Sequence, residues 1–192
     1  MAGQEVVLVR HGETEWTRDG RHTGKSDIPL TDAGRDQARR LAPELAGWTF
    51  ALVLTSPLQR ATETCRLAGY GDRAQERPDL EEWDYGSYDG KTSKQIEAIR
   101  PGWSLWRDGG PGGEQAADVG RRVDRIIDEV RRSDGDVLMF AHGHVLRVLT
   151  ARWLGQPPEA GRYYALEPAA VSVLGYEHQD AVILRWNLPP PE

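Results

Sequence analysis

The sequence has a single cysteine, Cys65, and no hydrophobic run that approaches the roughly 18 residues needed to span a membrane. One thiol excludes an internal disulfide and suits a reducing compartment. Its apolar neighbours, Ala61, Leu67 and Ala68, predict a buried thiol on a helix. The chain does not open on a basic region followed by a long apolar stretch, so we expect a cytoplasmic protein with no membrane partner.

An excess of positive charge is also lacking. The 24 Lys and Arg residues stand against 30 Asp and Glu residues, which gives a formal net charge of -6. Nucleic-acid binding requires phosphates to be neutralised over a broad face, so this balance argues against a nucleic-acid partner. Any positive charge that serves function must therefore be local.

The length and composition are those of one ordinary globular domain. The chain has 192 residues, of which 39% are hydrophobic and 28% are charged, enough to bury a sizeable core. We expect a single domain over residues 1–192. No internal repeat is visible in the sequence.

Strand and helix signals alternate along the chain. Short apolar runs predict strands, and apolar residues at helical spacing predict helices between them. Thr31 is a predicted N-cap, and Ser56-Pro57 predicts a helix start, since serine caps free amides and proline tolerates the first helical position. The pattern predicts a three-layer α/β/α sandwich with a largely parallel central sheet. The predicted strands cover residues 5–10, 52–55 and 136–141, with a terminal hairpin at 171–176 and 181–186. The predicted helices cover residues 57–68, 93–99 and 144–153, with a longer one after the glycine stretch 109–113.

The segment from about residue 82 to residue 113 departs from this pattern. It is rich in Gly, Trp, Asp and Tyr and has little periodicity. Loops on a rigid scaffold often carry function, so we predict a lid or substrate loop here. Its indoles, Trp83, Trp103 and Trp106, suit either the core or the wall of a pocket.

Two histidines follow two of the predicted strands. Arg10 and His11 end the first strand, and His142 follows the strand 136–141. Because the carboxyl ends of neighbouring parallel strands share one crevice, these side chains can converge. Arg60 lies on the first turns of the helix after Ser56-Pro57, where its guanidinium could bind two phosphate oxygens.

These residue types suit phosphoryl transfer. That reaction requires positive charge around the equatorial oxygens and a nucleophile in line with the leaving group. A neutral imidazole can attack phosphorus, and His11 is our candidate. A carboxyl group with a raised pKa could then protonate the departing alkoxide, and the acidic stretch 79–86 offers one.

The motifs resemble those of the histidine phosphatase superfamily, also called phosphoglycerate mutase-like. The resemblance implies that fold, with His11 as the phosphorylated nucleophile and Arg10 as a phosphate ligand. It makes His142 a stabiliser of the phosphoryl group and Glu82 the proton donor, and it matches Arg60 to the family's second arginine. The stretch from Arg21 to Gly24 resembles a substrate-binding segment, so Thr23 and Gly24 are expected to contact substrate through a hydroxyl and a backbone amide.

Finer matches favour a hydrolase. The strings at 82–90, 103–109 and 140–147, the last of which includes Gly143, look like those of sedoheptulose-bisphosphatase-like and broad-specificity acid phosphatases. The longer insertion of true mutases is missing between Glu82 and Gly113. Many relatives have asparagine where this chain has Thr17, which could still donate one hydrogen bond. Arg107 is either a surface charge or a second anion contact.

The sequence therefore predicts a phosphomonoester hydrolase that acts on small sugar phosphates or similar metabolites through a phosphohistidine. Two alternatives stay open, namely mutase-type phosphoryl transfer and a phospho-ligand binding module without turnover. A zinc hydrolase built on His142 and His144 is disfavoured, because their surroundings supply no third ligand. We expect no cofactor and no metal.

Overall fold

The computed structural model describes residues 3–190 and contains one six-stranded sheet. The strands are Val6–Arg10 (β1), Phe50–Thr55 (β2), Gln75–Glu76 (β3), Asp136–Ala141 (β4), Val171–Glu177 (β5) and Asp180–Leu188 (β6). Their order in the sheet is β3-β2-β4-β1-β5-β6, in which the first four strands are parallel, β5 is antiparallel to β1, and β6 is antiparallel to β5. β1 and β4 are therefore neighbours, as the converging histidines require.

Helices cover both faces of the sheet, which confirms the predicted three-layer sandwich. Alternate residues of β1 point to opposite faces, as strand geometry dictates. The helices are Glu15–Arg18 (α1), Asp32–Leu45 (α2), Gln59–Leu67 (α3), Ser93–Ile99 (α4), Leu105–Asp108 (α5), Ala116–Arg131 (α6) and Gly143–Trp153 (α7). Val6 and Leu8 pack in one core with α6 and α7, whereas Val7 and Val9 pack in a second core with α2 and α3.

Local sequence signals explain most of these boundaries. The Thr31 hydroxyl accepts a hydrogen bond from the Gly34 amide at 3.0 Å, so it caps α2 as predicted. The apolar stripe of α6, which includes Val119, Val123 and Ile126, is buried. β4 and α4 have the predicted bounds. Cys65 is buried on α3, and burial raises the pKa of its thiol to about 12.

The predicted start of α3 at Ser56-Pro57 is wrong. The helix begins at Gln59, after Leu58, which provides no side-chain cap. The Ser56 hydroxyl is instead 3.3 Å from the Leu58 amide and 2.7 Å from His142 Nε2. The hydroxyl that the local pattern assigned to capping is thus shared between the Leu58 amide and a tertiary contact to His142 at the end of β4.

The loop after β1 packs directly against the start of α2. A Cβ atom on Gly12 would collide with the Gly34 carbonyl oxygen, and one on Gly34 would collide with the backbone of Glu13. Both positions therefore require glycine for close backbone approach. This contact fixes the backbone that follows His11.

The segment 82–113 is folded onto the scaffold. Trp83 is fully buried, and Trp103 and Trp106 pack against the same core, so the core alternative holds for all three indoles. The Trp83 Nε1 donates to the Glu114 carbonyl at 2.9 Å and the Trp103 Nε1 donates to the Gly109 carbonyl at 2.8 Å. A lid function for this segment stays a prediction. Among residues 3–190, no helix combines the length and the apolar character needed to cross a membrane.

Candidate active site

His11 lies at the end of β1 with only 3% of its surface exposed. Its Nδ1 is 2.7 Å from the Gly12 carbonyl oxygen, and because a carbonyl can only accept, the proton resides on Nδ1. The Nε2 lone pair is then free. Burial lowers the pKa of His11 well below its ordinary value, and the charges of Arg60 and Arg10 lower it further. The ring is therefore a neutral imidazole, the form that can act as a nucleophile.

A cavity of about 70 Å³ adjoins this ring. It brings together six of the residues predicted from the sequence, although they come from separate parts of the chain. Those six are Arg10, His11, Thr17, Thr23, Glu82 and Gly143. The volume suits a group of the size of one phosphoryl, well below the several hundred cubic ångströms typical of a pocket that encloses a whole ligand.

Arg10 is a cation without a complete set of partners. Its Nη1 donates to the Leu166 carbonyl. Its Nε is the only buried side-chain nitrogen or oxygen within residues 3–190 that has no hydrogen-bond partner. Buried donors are almost always paired, so this one calls for an acceptor from outside the chain. Burial lowers the pKa of Arg10, and the charge of Glu82 opposes that shift.

Arg60 and His142 lie behind His11 rather than in the cavity wall. Both are fully buried, and the rings of His11 and His142 are 5.1 Å apart. Arg60 Nε donates to His142 Nδ1 at 3.1 Å, so His142 carries its proton on Nε2, which donates to Ser56 Oγ. Burial is the largest of the effects that lower the pKa of His142 well below its ordinary value.

The guanidinium of Arg60 is largely occupied by the protein. Its Nη1 donates to the Ser26 carbonyl at 2.9 Å, and its Nη2 donates to the carbonyls of Thr23 and Gly24 at 3.2 and 2.8 Å. Together with the bond to His142, these contacts use four of its five N–H groups. Arg60 therefore anchors the segment around Thr23 in addition to supplying charge.

Glu82 is held by backbone amides. Its Oε1 accepts from the amides of Trp83 at 2.9 Å and Val145 at 2.8 Å, and its Oε2 accepts from the amide of His144 at 2.9 Å. Two of these amides belong to the first turn of α7, where the helix dipole also favours a negative charge.

The expectation of a raised pKa at Glu82 is wrong for this structure. Burial by itself raises the pKa of Glu82, but the ring and the backbone amide of His144 outweigh it, and the pKa lies well below its ordinary value. The His144 ring nitrogen is 3.8 Å from Oε2, too far for a hydrogen bond. The backbone amides therefore give the carboxylate its main support.

Other predicted contacts are used differently. The Thr17 hydroxyl donates to the Thr14 carbonyl at 2.9 Å and accepts from the Thr14 amide at 2.8 Å, and the second bond completes a capping box. The Gly24 amide donates to Asp89 at 2.8 Å, and Gly24 is not in the cavity wall. Arg107 is exposed, bonded to Asp108 and outside the cavity wall, so of its two predicted roles the structure favours the surface charge.

Sequence reasoning missed several cavity residues. They are Arg21, Tyr85, His144, Arg147 and Leu166. The Arg147 Nε donates to the Gly161 carbonyl at 3.0 Å, and its guanidinium lies 4.8 Å from the Trp106 ring. Tyr85 Oη is 2.7 Å from His144 Nδ1. Tyr85 and Arg147 lie in the segments 82–90 and 140–147, which carry the family resemblance. That resemblance was the signal that could have identified them as cavity residues.

We expect the stability of the fold to decrease as the pH falls below neutrality. Burial is the largest cause of a lowered pKa at His11, His22, His142 and His144, and the value for His22 is about 4. An unfolded histidine takes up a proton below pH ~6.5, whereas these folded rings stay neutral. Unfolding then takes up protons, so the free energy of unfolding decreases as the pH decreases, by at most about 1.4 kcal/mol per pH unit for each group.

Thermal denaturation between pH ~7.5 and ~5 measures this effect. His22→Gln should reduce the dependence of Tm on pH, because one proton-binding difference is removed. Ser93→Ala is the matched control, since it removes only the hydroxyl 3.1 Å from His22 Nε2 and keeps the ring. A pH dependence in His22→Gln equal to that of the parent would contradict the assignment.

Within residues 3–190, no group of three or more His, Cys, Asp or Glu side chains has a geometry that could hold a metal ion. His142 and His144, the pair considered for zinc, have other partners. His142 is bonded to Arg60 and Ser56, and His144 is close to Tyr85. The charged and imidazole side chains that line the cavity are those of Arg10, Arg21, Arg147, His11, His144 and Glu82.

Comparisons with known proteins agree with this geometry. An acid phosphatase of Mycobacterium tuberculosis is 40% identical over 194 residues, which cover 97% of this chain and 95% of the relative. The sedoheptulose 1,7-bisphosphatase of Saccharomyces cerevisiae is 34% identical over 181 residues, 78% of this chain and 67% of the relative. Another relative carries the name probable phosphoglycerate mutase.

A solved structure gives the same fold. The product of a Mycobacterium tuberculosis open reading frame superposes with a TM-score of 0.92 at 36% identity, over 98% of this chain and 99% of that one. The model of the histidine phosphatase superfamily (branch 1) matches residues 6–189. The chain therefore belongs to branch 1 of the histidine phosphatase superfamily.

Proposed function

We propose that this protein hydrolyses small phosphomonoesters, such as sugar phosphates, through a phosphoryl group carried by His11. One observation carries the proposal: Arg10, whose buried Nε has no hydrogen-bond partner, lines the same small cavity as a neutral His11. Leaving a buried donor unpaired costs about 1–3 kcal/mol, which a phosphoryl oxygen would recover. The names of the relatives, an acid phosphatase and a sugar bisphosphatase, support the same class of substrate.

In the first step, His11 Nε2 attacks phosphorus. A P–N bond forms as the P–O bond to the leaving group breaks, and the bond from Nδ1–H to the Gly12 carbonyl stabilises the positive charge that develops on the ring. Arg10 offsets charge on the phosphoryl oxygens. The leaving oxygen takes its proton from Glu82, which has to take up that proton from solvent as the substrate binds; this role rests on the family resemblance.

Substrate binding would prepare Glu82 for this role. In the free protein its carboxylate is ionised, because its pKa is lowered. A phosphoryl dianion in the adjoining cavity is a like charge, and a like charge raises the pKa of a carboxyl group. In the second step Glu82 removes a proton from water, the water oxygen attacks phosphorus, the P–N bond breaks and phosphate leaves.

The size of the cavity indicates how the rest of the substrate is placed. A cavity of about 70 Å³ suits the phosphoryl group alone, so the organic part of the substrate has to extend out of it. Glu82 and Tyr85, both of the segment 82–113, line this cavity. We propose that the segment 82–113 acts as the predicted lid over that part. We also propose that the protein acts in the cytoplasm, on small molecules, as the charge balance and the lone buried thiol suggest.

Hydrolysis should not depend on a metal ion. We expect turnover of para-nitrophenyl phosphate at the same rate with and without EDTA, because the charges that act on phosphorus are side chains. Loss of activity on chelation, with recovery on addition of a divalent ion, would contradict the proposal. Isomerisation of 3-phosphoglycerate without release of phosphate would favour a mutase, and phosphate binding without turnover would favour a binding module.

A further inference from the structure

A largely buried ion pair outside the cavity joins the stretch that carries Glu82 to helix α6. Arg122 on α6 donates to Glu114 through Nε at 2.8 Å and through Nη2 at 3.0 Å. The side chains are only 11% and 24% exposed, respectively. Two parallel bonds between a guanidinium and a carboxylate fix both the distance and the orientation of the partners.

Both members of the pair also hold the backbone next to Glu82. Before Glu82, Arg122 Nη1 donates to the carbonyls of Asp79 at 2.7 Å and Glu81 at 2.6 Å. After Glu82, Glu114 Oε2 accepts from the Asp84 amide at 2.9 Å. The Glu114 amide in turn donates to the Asp84 carbonyl at 2.9 Å. The backbone is thus tied down on both sides of Glu82.

The side chain of Glu82 has a separate anchor in the first turn of α7, through the amides of His144 and Val145. Its carboxylate position is therefore set by α7 at the side chain and by α6 at the backbone. Neither Glu114 nor Arg122 lines the cavity that adjoins His11. Any effect they have on the reaction must pass through the residues they hold.

We propose that the Glu114–Arg122 pair is a positioning device for Glu82. This inference rests on the proposed function, in which Glu82 protonates the leaving group. A buried ion pair is a weak source of stability, because desolvation offsets most of its attraction. Proton transfer, in contrast, depends steeply on geometry, and a misplacement of ~1 Å can cost about 10²-fold in rate.

The test compares leaving groups. Glu114→Gln keeps the size of the side chain and weakens its grip on Arg122. We expect kcat to fall about tenfold for glycerol phosphate, whose alkoxide needs a proton, and to change little for para-nitrophenyl phosphate, whose leaving oxygen does not. KM should stay the same for both substrates. Arg122→Lys should give the same selectivity, since lysine cannot reproduce the planar fork.

Arg125→Gln is the matched control. Arg125 lies one turn further along α6 and donates through Nε to the Asp79 carboxylate at 2.8 Å, with its side chain 62% exposed. It touches no backbone atom beside Glu82. Both substrates should be turned over at the parent rate.

A double-mutant cycle separates this inference from the proposed function. If the pair acts through Glu82, adding Glu114→Gln to Glu82→Gln should produce no further loss on glycerol phosphate. A further loss, or equal losses on both substrates in Glu114→Gln alone, would overturn the positioning role. Equal losses on both substrates in Glu82→Gln alone would instead remove Glu82 as the proton donor, whatever the ion pair does.

Discussion

His11→Ala is expected to abolish turnover and the acid-labile phosphoryl label together. The variant removes the neutral ring that we propose as the nucleophile, which lines the cavity, so the proposed covalent intermediate cannot form. Deletion of a nucleophile from an enzyme of this kind costs on the order of 10⁶ in kcat. Rapid-quench experiments with a substrate that carries a labelled phosphoryl group measure the intermediate directly. The quantity counted is the protein-bound label that survives base and is lost in acid.

His178→Ala supplies the control for this experiment. His178 is exposed in the turn between β5 and β6, so both turnover and label should be retained. Retention of the label in His11→Ala would transfer the role of nucleophile to another residue. Phosphate release without any label in the parent protein would indicate direct attack by water.

Arg10→Ala should have the second largest effect, a fall in kcat/KM of about 10²–10³-fold. That is the scale for removing one preorganised donor that acts on developing charge. Arg10→Lys should recover little, because an ammonium group cannot replace the Nε donor together with the Nη1 bond to the Leu166 carbonyl. Inorganic phosphate, tested as a competitive inhibitor, should also bind less tightly to both variants.

The control for Arg10 is Arg185→Ala, an exposed arginine on β6. Circular dichroism and thermal denaturation should show that all three variants are folded, since the Arg10 side chain contributes a single hydrogen bond, from Nη1 to the Leu166 carbonyl, and leaves its Nε unpaired. An Arg10→Ala protein that is folded and keeps the parent kcat/KM would remove Arg10 from the site. An unfolded variant would show that Arg10 is mainly structural.

The fold could be read from the sequence where its causes are local. The runs that became β4 and α4 have matching bounds because apolar spacing and a threonine cap act within a few residues. The start of α3 could not be read in this way. The Ser56 hydroxyl contacts His142, which lies 86 positions along the chain, and this tertiary contact competes with the capping rule.

The candidate site shows the same division. The strand ends were enough to predict that Arg10, His11 and His142 would converge, and the rings of His11 and His142 are 5.1 Å apart. The ionisation of Glu82 could not be predicted, because it depends on the amides of His144 and Val145, which exist as donors only once α7 has formed.

The burial of Cys65 has a practical consequence for spectroscopy. With 1% of its surface exposed and its pKa raised to about 12, the only thiol in the chain is protected from alkylating reagents. The natural sequence therefore serves as a cysteine-free background for site-specific labelling. A fluorophore on a cysteine introduced at the exposed position Ile99 of α4 would follow the segment 82–113 during single turnovers, without removal of any native residue from the core.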